Sequence, residues 1–390
     1  MIPPETDPES PPAPDPVAAT GPGTAATPEA APEAMPGSEA APRLLCVILN
    51  YRTPELTLRA AAAALVDIAA LGGEIVIVDN GSGDGSYEAL RDAARDRGWI
   101  GSGRVRVVQA GQNGGFGAGM NFGMRCGMAD GGRPDFIHLL NSDAFPEPGA
   151  IRALVDYLRA TPQAGMVGSF IHGLDGRPHH TAFRFPSIPG EFETGARTGP
   201  ITRALARWVV APAIPQAPTR VDWTAGASLM LRQRMLDRIG GFDEGYFLYF
   251  EETDLCLRAA RAGWQTHYLP QSRVAHVGSA STGMGRWARM PGYWFDSRWR
   301  YFAKNHGRLQ AALATLARLA GGLVWQARRL VQRRPQADPD RFLRDLAWHF
   351  LTHAWRAPPA APPAAPPGAV APKTAATPVS PPVPLCEDRK

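Results

Sequence analysis

"FIHLLNSDAFPEPGA", residues 136–150, runs an apolar segment straight into Asn141, Ser142 and Asp143. The segment reads as a short strand buried on both faces. A carboxylate is costly to bury unless it is paired, so a buried strand that ends on one needs a reason. A plain strand stop is one reading, because Asn and Asp favour turns and Pro148 suits the first turn of a helix. A ligand site at the strand end is the other. The flanking sequence decides between them.

Upstream, "RLLCVILNY" from Arg43 reads as a strand, and an Ala/Leu-rich helix follows over residues 54–71. "EIVIVDNGS" from Glu74 is strand and turn, and residues 86–97 form a helix of mixed charge. "RVRVVQA" from Arg104 is a third strand. "FGAGMNFGMRCGMA" from Phe116 is a glycine-loosened helix, and residues 150–160 are helical again. This alternation predicts an α/β fold of right-handed βαβ units with a mainly parallel central sheet flanked by helices. Ligands of such sheets bind beyond the carboxyl ends of the strands. Asn50, Asp79, Asn113 and Asp143 all fall at those ends, which predicts one crevice. Downstream, "HHTAFRFPS" and "VDWTAGASLMLR" read as strands around a polar site. Residues 232–264 read as two short helices separated by an aromatic loop, and "QTHYLPQSRVAHVG" as extended chain reaching His276.

The 39 prolines are concentrated at the ends of the 390-residue chain, 12 in residues 1–42 and 11 in residues 357–384. Such Pro/Ala-rich stretches bury too little apolar area to offset their chain entropy, so both ends are expected to be disordered tails. The net charge is +5. No Lys/Arg run is interleaved with aromatics as a nucleic-acid groove requires. Cys46, Cys126, Cys256 and Cys386 show neither CxxC spacing nor a disulfide framework. The N-terminus lacks the charged and apolar regions of a secretory leader. A reducing, cytoplasmic location is expected.

Asp143, the acidic residues Glu251, Glu252 and Asp254, and His276 suggest a centre for a divalent cation, Mg²⁺ or Mn²⁺. A carboxylate and an imidazole hold such an ion and leave positions open for phosphate oxygens. Glu251 and Glu252 follow the aromatic run "YFLYF", where a carboxylate is desolvated and becomes a better base. A competing reading is a helix start, where acids complement the dipole and Thr253 or Asp254 caps. "NGGFGAGMNFG" from Asn113 invites a dinucleotide reading. It follows the third strand rather than the first, which counts against a nicotinamide-dependent oxidoreductase.

Taken in order, "VILNYRTPE", "VDNGSGDGS", "NGGFGAGMNFG", "LLNSDA", "WTAGASLMLR", "GGFDEGYFLYFEETDLCLRAARAGW" and "VAHVG" resemble the blocks of the family 2 glycosyltransferases with the GT-A fold. The likeness is strongest to the rhamnosyltransferase and galactofuranosyltransferase branch and covers roughly residues 44–306. It implies a GT-A domain over residues 43–306, with tails at 1–42 and 357–390 and a C-terminal amphipathic helical extension at 307–356. It implies an inverting transferase that moves a sugar, rhamnose or a similar hexose, from a nucleotide-diphosphate donor. The acceptor is a glycan or lipid-linked glycan in cell-surface polysaccharide assembly. "NSD" stands in the place of the DxD motif, with Asn141 replacing the first Asp and Asp143 as metal ligand. His276 matches a second metal ligand. Asp79 matches the position that meets the base, Asn50 and Arg52 the first nucleotide loop, and Asn113 and Asn121 the block facing the donor. Trp223, Gly226 and Ala227 match the sugar site. The catalytic base falls on the Glu251–Glu252 pair, Glu252 ahead of Glu251, with Asp254 as a further candidate. A catalytically silent nucleotide-sugar or glycan-binding protein is the alternative.

"LQAALATLARLAGGLVWQARRLVQRR" from Leu309 is interrupted by Arg318, Gln326 and the Arg pairs. It falls short of the roughly 18 apolar residues of a spanning helix. A helix packed on the catalytic domain, or an oligomer contact, is favoured over an amphipathic helix lying on an anionic inner membrane surface. Residues 339–355 read as a second amphipathic helix.

Overall fold

Strands β1 (Leu44–Asn50), β2 (Glu74–Asp79), β3 (Val105–Gln109) and β4 (Phe136–Asn141) alternate with helices α1 (Pro54–Ala70), α2 (Ser86–Asp96) and α3 (Phe116–Arg125). The computed structural model describes residues 42–278, 287–336 and 338–353. The expected tails, apart from Pro42, lie outside the described residues. The four strands lie side by side in the order β3-β2-β1-β4, all parallel. Their carboxyl ends therefore share one edge. Alternate residues of β1 face opposite sides: Leu44, Cys46 and Ile48 pack with Ile68 and Leu154, while Leu45 and Val47 pack with Met120 and Leu255. Both faces are covered, which is why these strands read as unbroken apolar runs.

The second half adds β5 (Ala144–Pro146), α4 (Ala150–Ala160), β6 (Ala164–His172), β7 (Ala182–Phe183), α5 (Ile188–Ala196), α6 (Gly199–Ala204), β8 (Thr219–Val221), β9 (Trp223–Thr224), β10 (Ser228–Arg232), α7 (Gln233–Ile239), α8 (Glu251–Arg261) and β11 (Gln265–His276). β10 enters antiparallel between β4 and β6. β11 runs parallel to β6 and pairs antiparallel with β5 and β8. The result is a mixed, mainly parallel sheet. β6 and α5 were not expected from the sequence: Gly165 and Gly168 break the strand pattern, and Pro189, Gly190 and Gly195 hide the helix.

Three helices close the described chain: α9 (Gly292–His306), α10 (Arg308–Gln332) and α11 (Phe342–His353). α10 crosses α5 where both are smallest, since a Cβ on Gly195 would sit 2.8 Å from the Arg318 carbonyl. The buried Arg298 of α9 joins them, donating to Glu191 of α5 at 2.8 Å and to Thr315 of α10 at 3.0 Å. One face of α10 is thus packed on the catalytic core, as expected.

Candidate functional site

The ends of β1 and β2 are tied together before any ligand is considered. Asp79, fully buried, accepts from Asn50 Nδ2 at 2.8 Å, Ser82 Oγ at 2.5 Å and Ser82 N at 3.2 Å. Asn50 Oδ1 accepts from Thr57 Oγ1 at 2.8 Å. Arg52, at φ 58°, donates through Nε to the Ser82 carbonyl at 3.1 Å. These three residues fasten two strand-end loops, and their polar contacts lie within the protein.

Beside them opens a crevice of about 440 Å³. It brings together six of the residues expected from the sequence: Asn113, Asn141, Asp143, Glu251, Glu252 and His276. The β5–β11 pairing sets His276 opposite Ala144, which carries its imidazole to the residue before. His276 Nε2 lies 3.0 Å from Asp143 Oδ1 and 3.4 Å from Asn141 Nδ2. The Asn141 amide donates to the Ala227 carbonyl at 3.0 Å, so Ala227 acts through the backbone that holds Asn141. Among the described residues, no group of three or more His, Cys, Asp or Glu side chains is placed to hold a metal ion. Asp143 and His276 form a two-donor site of one hard oxygen and one imidazole nitrogen. That set fits Mg²⁺ or Mn²⁺ only when a ligand supplies most of the remaining oxygens.

Glu251 and Glu252 open α8, and the chain reaches them through an unusual turn. Tyr249 and Phe250 lie at φ 71° and 69°, two consecutive non-glycine residues in the left-handed region, where each is strained. The Phe247 carbonyl accepts from Phe116 N at 3.0 Å. Gly115, at φ 89°, permits this approach, because a Cβ there would run into that carbonyl. Glu252 Oε1 accepts from Gly226 N at 3.2 Å, and a Cβ on Gly226 would stand 2.7 Å from the same oxygen. Glu251 is 1 % exposed, and its Oε2 has no hydrogen-bond partner among the described residues. Burial pushes both carboxyls above the usual range, and the charge of Glu252 pushes Glu251 further. Carboxyls with raised proton affinity are suited to acid–base chemistry.

Three expected residues stand elsewhere. Asp254 is fully buried on the far side of α8, bonded to Arg258, Lys304 and Asn305, each at 2.8 Å, and to Tyr246 at 3.3 Å. Burial alone would raise its proton affinity, but bonds from Asn305, Lys304 and Arg258 hold it below the usual carboxylate range. It is absent from the crevice lining. Asn121 clamps α3 to the loop before α8, bonding Phe242 N and O at 2.9 Å each and Glu244 at 2.9 Å. It lines a different cavity, with Met124 and Arg125. Trp223 stacks on Phe183 at 4.2 Å and donates to the Arg184 carbonyl at 2.9 Å, outside the crevice lining.

Sequence reasoning passed over Asn80, Tyr51, Phe116, Phe247 and Tyr293, all of which line the crevice. Asn80 donates to Asn113 Oδ1 and the Gly115 carbonyl at 3.1 Å each, while its own buried Oδ1 has no partner among the described residues. Its place beside Asp79 in "VDNGS" was the available signal. Tyr293 packs against Phe247 at 5.4 Å, and it comes from α9, a helix the sequence reading did not assign.

The model of the family described as "Glycosyltransferase like family 2" matches residues 42–309. The chain belongs to this family. It is a glycosyltransferase with a GT-A fold, and its likeness within family 2 runs to rhamnosyltransferases. It is 33 % identical over 221 residues to the N-acetylglucosaminyl-diphospho-decaprenol L-rhamnosyltransferase of Mycobacterium tuberculosis, covering 54 % of this chain and 68 % of that one. It is 47 % identical over 58 residues to the rhamnosyltransferase WbbL of Escherichia coli, covering 15 % of this chain and 22 % of that one. Among solved structures, the mannosyltransferase PcManGT from Pyrobaculum calidifontis, in complex with GDP-Man and Mn²⁺, matches at 15 % identity. That match has a TM-score of 0.47 and covers 80 % of this chain and 88 % of that one. No helix among the described residues of this family 2 enzyme is long and apolar enough to cross a membrane.

Proposed function

We propose that the crevice binds a nucleoside-diphosphate sugar and transfers its hexose, rhamnose or a close analogue, to a glycan or lipid-linked glycan with inversion. One observation carries this reading: the buried Glu251, with one oxygen unpartnered among the described residues, the half-buried Glu252 and the Asp143–His276 pair line the same crevice. The names of the relatives support the donor class and a lipid-linked acceptor. Asp143 and His276 would hold a divalent cation, which would supply positive charge for the departing nucleoside diphosphate. Glu252 takes the proton of the acceptor hydroxyl as its oxygen bonds to the anomeric carbon and the carbon–phosphate oxygen bond breaks. Its Gly226 contact fixes the carboxylate for that step. Asn80, Asn113, Phe116 and Tyr51 line the donor's part of the crevice. The catalytic unit spans residues 43–306 and is followed by a C-terminal helical region over 307–356, and it works in the cytoplasm at the membrane face where a lipid-linked acceptor is reached.

A donor screen tests this reading: dTDP-rhamnose, UDP-galactofuranose, UDP-glucose and GDP-mannose, each with and without Mn²⁺ or Mg²⁺, read by nucleotide release. Metal-dependent release from one donor is expected. Tight donor binding with no release or transfer to any acceptor would favour a silent binding protein.

A further inference from the structure

The sequence places arginines within the apolar run of α10, and the structure shows where they go. Arg318 turns inward, 8 % exposed, 3.7 Å from Asp338 and 5.3 Å over the Phe342 ring. Arg328 donates to the Arg197 carbonyl at 2.7 Å. The outer face is left without charge. From Leu309 to Val331 every exposed residue except Gln310 is apolar: Leu309, Leu313, Leu316, Ala320, Leu323, Val324, Ala327, Leu330 and Val331. Leu309 is 73 % exposed, Leu330 75 % and Val331 84 %. At 3.6 residues per turn these positions fall within an arc of about 120° along about 35 Å of helix. Soluble surfaces rarely leave so long a stripe uncovered.

Charge selects what covers it. Residues 297–337 contain no Asp or Glu. Arg308 flanks one end of the stripe, and exposed Arg333 and Arg334 the other. A second copy would be the rival occupant, because Leu309, Leu313, Leu316, Ala320, Leu323, Ala327 and Leu330 repeat with heptad spacing. A paired helix of this kind, however, sets arginine against arginine with no carboxylate on either copy of the helix to offset it. An anionic bilayer supplies both the apolar phase and the opposite charge.

We propose that α10 is a membrane-docking helix that lies in the interface of an anionic bilayer, its leucine stripe in the acyl boundary and its terminal cations at the headgroups. One face holds the catalytic core and the other holds the lipid surface. Docking brings the crevice to a lipid-linked acceptor, so its use rests on the acceptor reading above, whereas the binding itself does not.

Flotation of the full-length chain with phosphatidylglycerol-rich and with pure phosphatidylcholine vesicles, at low and high salt, tests this. The expected result is binding to the anionic vesicles that weakens with salt. Leu316→Glu/Leu323→Glu should abolish binding while leaving melting temperature and donor hydrolysis unchanged. Each of Arg333→Gln and Arg334→Gln should weaken partition about fivefold. No vesicle binding by the parent chain would overturn the proposal, as would equal binding to neutral vesicles at high salt. A concentration-dependent dimer that Leu316→Glu/Leu323→Glu breaks, without vesicle binding, would assign the stripe to a second copy. Donor hydrolysis measured on the same samples separates failure of docking from failure of the transferase reading.

Discussion

Helix α8 carries two kinds of buried carboxylate on opposite sides, and they have been treated differently by the fold. Asp254 is surrounded by Arg258, Lys304 and Asn305 and sits beside the Asp243–Arg300–Lys304 cluster. Among the described residues, Glu251 and Glu252, up to one turn earlier, pair with no cation; Glu252 accepts one backbone amide and Glu251 Oε2 accepts nothing. A buried charge that is fully paired has its proton affinity set for structure. A buried carboxyl left short of partners costs stability, and that cost persists where chemistry uses the unsatisfied group. Asp79 is bonded within the strand-end loops, whereas Asp143 pairs with His276 and lines the crevice.

The sharpest way to break the contrast is at the crevice floor. Asp143→Ala should remove several kcal/mol of transition-state stabilisation, about a thousandfold or more in rate, with the melting temperature nearly unchanged. Undiminished turnover at the same metal concentration would put the metal elsewhere.

Asp254→Ala should do the opposite. Removing one partner of a buried ion network takes the carboxylate from Arg258 and leaves Lys304 with Asp243 alone, and should cost about 3–5 kcal/mol of stability at neutral pH. Urea unfolding measures it. A loss of activity without a loss of stability would move Asp254 back among the catalytic groups.

The pH dependence of stability should show two opposite slopes. Burial alone would raise Asp243, but Arg300 and Lys304 hold it at about 2, and Asp254 is also depressed. Their contribution is present above the ordinary value of 3.8 and fades as pH falls through their folded values. Glu251 and Glu252 are raised above 4.5, so their contribution is complete below 4.5 and is lost as pH rises through the raised values. Glu251→Gln should therefore melt about 2–4 °C higher near neutral pH and match the parent at pH 4. A melting difference independent of pH would contradict the assignment. The smallest effect is expected far from α8: a chain trimmed to residues 43–356 should retain its circular dichroism spectrum and its turnover.

The strand-end geometry was legible because β1 to β4 are consecutive, parallel and buried on both faces, so local pattern and final position coincide. Asp143, His276 and the glutamate pair were legible from the order of their blocks. Asn121 was not, because its partners Phe242 and Glu244 come from 121 and 123 residues away. Asp254 was misjudged for the same reason: Lys304 and Asn305 reach it from α9, about which the sequence pattern said nothing. The inward turn of Arg318 was equally invisible, since Asp338 and Phe342 belong to the segment after α10.

The central claim is that the unsatisfied end of α8 does chemistry and the satisfied side does not. It is tested most directly by measuring kcat, donor affinity and melting temperature for Glu252→Gln beside Asp254→Ala. The account predicts that Glu252→Gln loses about 10²–10⁴-fold in kcat, with donor affinity and melting temperature nearly unchanged. Asp254→Ala should lose stability and keep its turnover per folded molecule. Near-normal kcat in Glu252→Gln, together with a catalytic collapse in a still-stable Asp254→Ala, would contradict it.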